Sequence, residues 1–247
     1  MVFQLLGPVQ LDGRPPRSPT LRALLALLLL DAGQVVSYQQ LIDGLWDEPP
    51  PSARQNLRSY ATELRRLLAP AHELITYRSG GYLLEIGPDE LDVEVFANLV
   101  RQARTDQAQG QARVAAAELG RALELWAGPA GVDARGSANL RMRFQALDEQ
   151  RWAAREAHIE MRMQLGECHT VLADLHELTA RQPLRERGWS LLMRACYLSG
   201  DASTALGAYQ RLRGTLRDQL GVGPSENLQR LHIAVLRDDY PVIAMGR

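Results

Sequence analysis

The stretch SARQNLRSYATELRRLLA, residues 52–69, decides how the first third of the chain folds. Ser52 followed three residues later by Gln55 is the pattern of a capping box, in which two side chains close the first turn of a helix. Three prolines precede Ser52 and Pro70 follows the stretch, and proline is disfavoured inside a helix. The pattern therefore predicts one helix over residues 52–69.

This predicted helix has an apolar face and a polar face. A helix advances about 100° per residue, which places one group of apolar side chains toward a core: Leu57, Tyr60, Ala61, Leu64 and Leu68. The opposite face carries Gln55, Arg58, Ser59, Thr62 and Arg66, and Arg54 and Arg65 lie at its flank. The segment holds four arginines against Glu63 alone, although residues 1–90 hold eight arginines against ten acids. Positive charge is thus concentrated on this helix.

The polar face suits DNA. Arginine binds guanine or a phosphate through two parallel hydrogen bonds, glutamine binds adenine, and hydroxyl groups serve bases or phosphates. We expect the polar face to contact bases, and Arg54 and Arg65 to contact the DNA backbone. The alternative is that this face is simply solvated, which is the commoner interpretation of an isolated charged helix. The neighbouring elements decide between a DNA-binding face and a solvated one.

Those neighbours predict a winged helix-turn-helix. Ser18 and Pro19 begin a helix that ends near Gly33, and Ser37 with Gln40 forms a second capping box that opens the next helix. After residue 69, strand-like residues 74–78 and 82–86 flank a glycine turn, which indicates a hairpin wing. Arg78 in this wing is a further candidate contact, with a phosphate or the minor groove of DNA, although a lone arginine in a hairpin is as often only solvated.

Two other features belong to this half. Residues 2–6 and 9–11 are strand-like and are followed by Asp12-Gly13, which is typical of the winged-helix subtype with an N-terminal sheet. Between the second and third helices, the prolines after Asp47 and Glu48 predict a stiff, exposed loop.

The second half predicts helices throughout. The breaker at Gly87-Pro88 favours a boundary between domains 1–88 and 89–247. Leu165-Gly166 recurs as Ser199-Gly200, and Leu178 recurs as Leu212, which is the 34-residue period of tetratricopeptide repeats. Chance alignment of Ala/Leu-rich helices is the alternative. We predict helices at 93–108, 113–126, 138–165, 170–181, 184–198, 202–220 and 226–237, and hence a mainly α protein with small β-sheets.

Composition argues against other function classes. The net charge of −1 gives no global attraction to nucleic acid, and all basic residues are arginine. The most apolar window, residues 21–30, is half the length of a membrane span, so we expect no membrane partner and a cytoplasmic location. Cys168, His169 and His176 lack zinc spacing, and no catalytic or cofactor motif occurs. We predict no enzyme activity, metal or cofactor.

A series of motifs resembles the Streptomyces antibiotic regulatory protein family. The motifs are residues 22–30, Gly44-Leu45-Trp46, Pro50-Pro51, Leu64-Arg65-Arg66, Gly81-Tyr82-Leu83-Leu84, 88–92, Leu125-Trp126, 183–186, 191–193 and 221–224. The resemblance implies an OmpR-type winged helix followed by a tetratricopeptide-like bacterial transcriptional activation domain. Family members usually carry a lysine before the Gln-Arg that opens the first helix. Here Pro19-Thr20-Leu21-Arg22 has none, which leaves a phosphate contact at that end in doubt.

The resemblance also implies partners. It implies a transcriptional activator of a secondary-metabolite (antibiotic) gene cluster that binds direct repeats of double-stranded DNA as a homodimer and recruits RNA polymerase. The loop in OmpR-type domains that touches the polymerase corresponds to Asp47, Glu48, Pro49 and Pro50, although a solvated acidic turn is an equal alternative. The alternative function is a helical-repeat scaffold whose winged helix binds only proteins.

Overall fold

The computed structural model describes residues 2–68 and 74–245. Within these ranges the chain is mainly helical with two small antiparallel sheets, as predicted. The strands are β1 Phe3–Gln4, β2 Gln10–Leu11, β3 Val35–Ser37, β4 Ile75–Arg78 and β5 Gly81–Leu84. The helices are α1 Pro19–Leu30, α2 Tyr38–Leu45, α3 Ala53–Leu67, α4 Asp92–Ala108, α5 Ala112–Glu124, α6 Ala138–Gln164, α7 Leu172–Arg181, α8 Glu186–Leu198, α9 Ala202–Leu220, α10 Glu226–Arg237 and α11 Tyr240–Met245. The short α11 is absent from the sequence-based prediction.

The chain forms two compact units that do not follow a single boundary. The first comprises the described residues up to Arg101 together with Gly120–Trp152, and the second comprises Gln102–Leu119 and the described residues from Ala153 onward. Part of the second half of the sequence thus belongs to the same compact unit as the winged helix. The boundary at residue 88 stays a prediction about domains, while the compact unit extends beyond it.

Side-chain caps set the starts of α1 and α2, but not of α3. Ser18 accepts a hydrogen bond from the Leu21 amide at the start of α1, and Ser37 and Gln40 form the predicted capping box of α2. The box predicted for α3 is wrong. Ser52 has ψ near 8° rather than an extended backbone, so its hydroxyl accepts from the side chain of Asn56 instead of capping the backbone. The predicted end of α3 near Pro70 lies outside the described residues.

The wing is part of a three-stranded sheet. β5 lies between β3 and β4, and both pairings are antiparallel. The hairpin turn consists of Ser79 and Gly80, both with positive φ, as a tight two-residue hairpin turn requires. The prediction of a hairpin is therefore confirmed. The pairing of Val35–Ser37 with β5 is not predicted by the sequence pattern, because these three residues carry no strand signal beyond two valines.

The leading strands are shorter than predicted because their backbone bonds with distant residues. β1 and β2 pair over two residues each, and then the Leu5 and Leu6 amides both donate to the carboxylate of Asp92 at 2.9 Å. Burial raises the pKa of Asp92, and these backbone amides offset part of that increase. The carbonyls of Leu5 and Leu6 accept from the amides of Gly131 and Ala127.

Residues 127–141, here named the strap, run along the winged helix within the first unit. The Asp133 carboxylate accepts from the Val9 amide at 2.8 Å, and the Arg135 amide donates to the Pro19 carbonyl at 3.1 Å. The Ser137 amide donates to the Gly44 carbonyl at 3.0 Å. Phe96 and Trp126 meet edge to face in the core of this unit, with ring centroids 5.4 Å apart. The strap therefore completes the fold of the winged helix.

The second unit contains the predicted repeat. Gly166 and Gly200 both have left-handed backbones, with φ of +84° and +87°, one period apart. Leu178 and Leu212 are both fully buried in its core. The 34-residue period is therefore present in the structure as well as in the sequence. None of the helices among the described residues is both long and apolar enough to cross a membrane.

Candidate nucleic-acid interface

The apolar face of α3 is buried as the rotation of the helix predicts. Leu57 and Ala61 are fully buried, and Leu64 and Leu68 are 1% exposed. Tyr60 is half-buried and its ring lies 6.4 Å from that of Trp46. This burial fixes the rotation of α3 about its axis, so the opposite face is turned to solvent.

That opposite face holds the predicted DNA contacts. Its exposed members are Arg54, Gln55, Arg58, Ser59, Thr62 and Arg66. The Ser59 hydroxyl donates to the Gln55 carbonyl at 3.2 Å, and the Thr62 hydroxyl donates to the Arg58 carbonyl at 2.9 Å. Because each hydroxyl proton is used within the helix, these two side chains offer an acceptor oxygen to a partner.

The arginines of this surface differ in their surroundings. Within residues 2–68 and 74–245, Arg54, Arg66 and the exposed Arg78 of the wing form no ion pair. The nearby hydroxyl of Tyr38 raises the pKa of Arg58, first through hydrogen bonding and then through its charge. Arg58 therefore remains charged and points from α3 toward the start of α2.

Arg65 is engaged by the wing. Its Nε donates to the Ile75 carbonyl of β4 at 2.9 Å, and its guanidinium lies 5.4 Å from the ring centre of Tyr82 on β5. Arg65 is also half-buried, unlike the other arginines of α3. In the structure Arg65 holds the wing against α3. The predicted contact with the DNA backbone would have to use the two guanidinium nitrogens other than Nε.

Three tyrosines form the junction between the wing and the helices. The rings of Tyr38, Tyr77 and Tyr82 lie within 5.6–6.2 Å of one another. Burial, followed by the hydrogen bond with Tyr38, raises the pKa of Tyr82 to about 12. Burial acts to raise the pKa of Tyr38 too, but the hydrogen bonds with Tyr82 and Arg58 outweigh it and lower that pKa. The packed rings therefore join the wing to the start of α2.

The loop between α2 and α3 differs from its predicted role in one respect. Asp47 accepts a hydrogen bond from the Ala138 amide at 2.6 Å and pairs with Arg141 at 3.3 Å. The hydrogen bond from the Ala138 amide lowers the pKa of Asp47, and Arg141 lowers it further by a smaller amount. Glu48 and Pro49 are exposed, and Pro50 is half-buried. Both carboxylates are exposed, but Asp47 has a partner inside its own chain, whereas Glu48 has none among the described residues.

A groove beside α3 brings in an arginine that the sequence-based prediction omits. The groove is lined by Arg17, Ser59, Thr62, Glu63, Arg66 and Leu67. Arg17 precedes the Ser18 cap of α1 and so lies outside α3 and the wing, the two elements whose sequence predicts contacts with DNA. The signal available in the sequence was an arginine placed between a proline pair and a helix cap.

Comparisons with known proteins agree with this architecture. Residues 14–84 match the model "Transcriptional regulatory protein, C terminal", and residues 91–236 match "Bacterial transcriptional activator domain". Regulatory protein DnrI of Streptomyces peucetius is 37% identical over 228 residues, which cover 88% of this chain and 84% of DnrI. Regulatory protein AfsR of Streptomyces coelicolor is 39% identical over 251 residues, covering 98% of this chain but 25% of AfsR.

A solved structure is also similar. Mycobacterium tuberculosis EmbR, in complex with a low-affinity phosphopeptide, matches with a TM-score of 0.89 and 33% identity, covering 99% of this chain and 69% of that one. The match to DnrI along most of both chains, together with the two domain models in order, establishes the family. The chain belongs to the Streptomyces antibiotic regulatory protein family of DNA-binding transcriptional activators, with an OmpR-type winged helix followed by a bacterial transcriptional activator domain.

Proposed function

We propose that this protein activates a secondary-metabolite gene cluster by binding direct repeats near its promoter and recruiting RNA polymerase. The observation that carries the proposal is the exposed, arginine-bearing face of α3, held opposite a fully buried apolar face. The similarity to DnrI and AfsR, both named regulatory proteins of Streptomyces, supports a role in gene regulation. The protein acts in the cytoplasm, on chromosomal DNA.

The α3 face enters the major groove, and the wing reaches the neighbouring backbone. Gln55, Arg58 and Arg66 read base edges, with Ser59 and Thr62 between them, because these side chains share the solvent-facing side of the helix. Arg54, Arg65 and Arg78 lie at the margins and contact phosphates. Arg65 contributes least of these three, since its Nε is bonded to the wing.

RNA polymerase is contacted through the loop between α2 and α3. Of the residues Asp47, Glu48, Pro49 and Pro50, Glu48 and Pro49 form the contacting part, because Asp47 is bonded to the start of α6. An exposed carboxylate on a proline-stiffened loop suits a basic partner surface at little cost in conformational entropy.

A homodimer on DNA would use apolar surface of the second unit. Ile233 and Leu236 lie three residues apart on α10 and are 45% and 61% exposed, and Tyr240, the first residue of α11, is 59% exposed. Exposed apolar side chains on one face of a helix are typical of protein interfaces. Two copies on adjacent repeats would bring such surfaces to the same DNA.

Selection from random-sequence duplexes with the full chain tests the DNA-binding part. We expect enrichment of a short motif that occurs twice in the same orientation, with the two copies separated by whole helical turns of DNA. Recovery of unenriched sequences would contradict sequence-specific binding and favour the scaffold alternative. Recovery of a single copy or of an inverted repeat would contradict the direct-repeat arrangement.

Transcription in a purified system, on a promoter carrying the selected motif, tests the polymerase contact. We expect Glu48→Gln to lower activated transcription while the affinity for DNA stays unchanged. Glu226→Gln, an equally exposed carboxylate at the start of α10, is the matched control and should change neither. A loss of DNA affinity in the Glu48 variant, or equal transcription by both variants, would contradict the polymerase role of the loop.

A further inference from the structure

We propose that Arg17 is a DNA backbone contact and that, with Arg66, it binds one phosphate across the groove beside α3. This inference rests on the proposed function, because it extends the same DNA-binding surface. Arg17 and Arg66 line one groove together with Ser59 and Thr62, although Arg17 lies more than 40 residues earlier in the sequence. The fold therefore adds a cation from outside α3 to the side of α3 that faces DNA.

The backbone around Arg17 is fixed from both sides. The preceding residue, Pro16, is buried and has a restricted φ, and its carbonyl accepts from Arg22 Nη1 at 3.3 Å. The following residue, Ser18, is the N-cap of α1 and is held by the Leu21 amide at 3.1 Å. Because the backbone is fixed in this way, no further backbone entropy is lost when the exposed side chain of Arg17 binds.

Arg22, the nearest arginine of α1, is engaged elsewhere. Its Nε donates to the Asp133 carbonyl at 3.0 Å and pairs with the Asp133 carboxylate at 3.3 Å, and its side chain is only 17% exposed. The strap therefore turns Arg22 inward. Arg17 supplies the exposed cation at this end of α1.

The charges of the groove favour a phosphate. Among the described residues, neither Arg17 nor Arg66 forms an ion pair, and Glu63 is the acid among the residues that line the groove. Two guanidinium groups against one carboxylate leave a net positive charge. A guanidinium presents paired donors whose geometry matches two phosphate oxygens. Ser59 and Thr62 use their hydroxyl protons within α3, so the arginines supply the donors.

The test measures how salt weakens the binding of the full chain to a labelled mixed-sequence duplex of about 30 base pairs. Fluorescence anisotropy of the duplex monitors the binding. Each phosphate neutralised contributes about −0.9 to the slope of log affinity against log salt. We expect Arg17→Gln to make the slope less negative by about 0.9. The ratio of wild-type to variant affinity for the duplex should therefore fall about 3.5-fold between 50 and 200 mM salt. Arg17→Lys should keep the wild-type slope, because the charge is kept.

Arg113→Gln, which removes an exposed arginine of α5, is the matched control and should leave the slope unchanged. On the duplex recovered by selection, Arg17→Gln should weaken selected and mixed-sequence DNA by the same factor, because a phosphate contact carries no base information. A slope for Arg17→Gln equal to that of the wild type and of Arg113→Gln would overturn the inference. So would a change in the ratio of the two affinities, which would mean that Arg17 reads a base.

These outcomes are separable from failure of the proposed function. Wild-type protein that binds both duplexes equally would contradict sequence-specific regulation, whatever Arg17 does. Wild-type protein that prefers the selected duplex, beside an Arg17→Gln variant with an unaltered slope, would contradict the Arg17 contact alone.

Discussion

The carboxylate of Asp47 accepts a hydrogen bond from the backbone amide of Ala138 at 2.6 Å, which joins the loop between α2 and α3 to the first turn of α6. The first amides of a helix have no partner within that helix, so a carboxylate placed there both satisfies a donor and meets the positive end of the helix dipole. Arg141, one turn along α6, pairs with the same carboxylate at 3.3 Å. The second half of the sequence thus sets the conformation of the loop that we propose meets RNA polymerase.

Asp47→Asn should destabilise the first unit, because the variant loses the negative charge that faces the Ala138 amide at the start of α6 and pairs with Arg141. The Ala138 amide lowers the pKa of Asp47, so the contribution of Asp47 is fully present above its unfolded pKa of about 3.9 and is lost as pH falls through the lower folded pKa. Urea unfolding of wild type and variant from pH 7 to pH 3 measures the difference. Asp43→Asn, on the exposed side of α2, is the control. A difference that is absent at pH 7, or that grows as the pH falls, would contradict the assignment.

A fragment of residues 1–88 should unfold at lower urea concentration than the first unit of the full chain. The Leu5 and Leu6 amides would lose Asp92, the Val9 amide would lose Asp133, and buried residues of β1 would become exposed. Each unpaired buried backbone group costs about 1–3 kcal/mol. Circular dichroism during urea unfolding of fragment and full chain measures this. A fragment that unfolds with the same midpoint as the full chain would show that neither Asp92 nor the strap adds stability to the winged helix.

Much of this architecture could be predicted because its signals are local. The caps at Ser18 and Ser37, the turn at Gly80 and the apolar face of α3 depend on residues within a turn or two of one another. The repeat period around Gly166 and Gly200 is equally visible, because the same small residue recurs at the same place in each helical pair.

The strap could not be predicted because its partners are distant in the sequence. Asp133 and Val9 are 124 residues apart, and Asp47 and Ala138 are 91 apart. From the sequence, residues 128–136 are only an irregular, glycine-rich stretch between helices. The same reason hides the groove arginine: nothing local to Arg17 indicates that Arg66 lies across from it.

Arg65→Gln should lower the free energy of unfolding by about 1–2 kcal/mol, because it removes a charged hydrogen bond to Ile75 and the contact with the Tyr82 ring. Arg66→Gln, the neighbouring exposed arginine, should change stability by less than about 0.5 kcal/mol. Urea unfolding of both variants distinguishes the two positions. Equal stabilities for the two variants would contradict a role for Arg65 in holding the wing.

Gly81→Ala should destabilise the wing sheet by about 1–3 kcal/mol, because a Cβ at this position would lie 2.2 Å from the Val36 carbonyl oxygen of the neighbouring strand. Gly207→Ala in α9 is the control. A Cβ there meets no described atom within 4 Å, and the gain in helix propensity should stabilise the second unit by about 0.5–1 kcal/mol. A Gly81 variant as stable as wild type would mean that β3 and β5 separate without cost.

The ratio of affinities for the selected duplex and for a scrambled duplex of equal length, measured for the full chain at fixed salt, tests most directly whether the α3 face reads DNA sequence. We predict that Arg58→Ala and Arg66→Ala each lower this ratio by about 5-fold or more, as loss of a base contact worth about 1–3 kcal/mol requires. The melting temperature of Arg66→Ala should stay unchanged, since this side chain is exposed and forms no ion pair among the described residues. A ratio equal to that of the wild type in both variants would contradict base recognition by this face of α3.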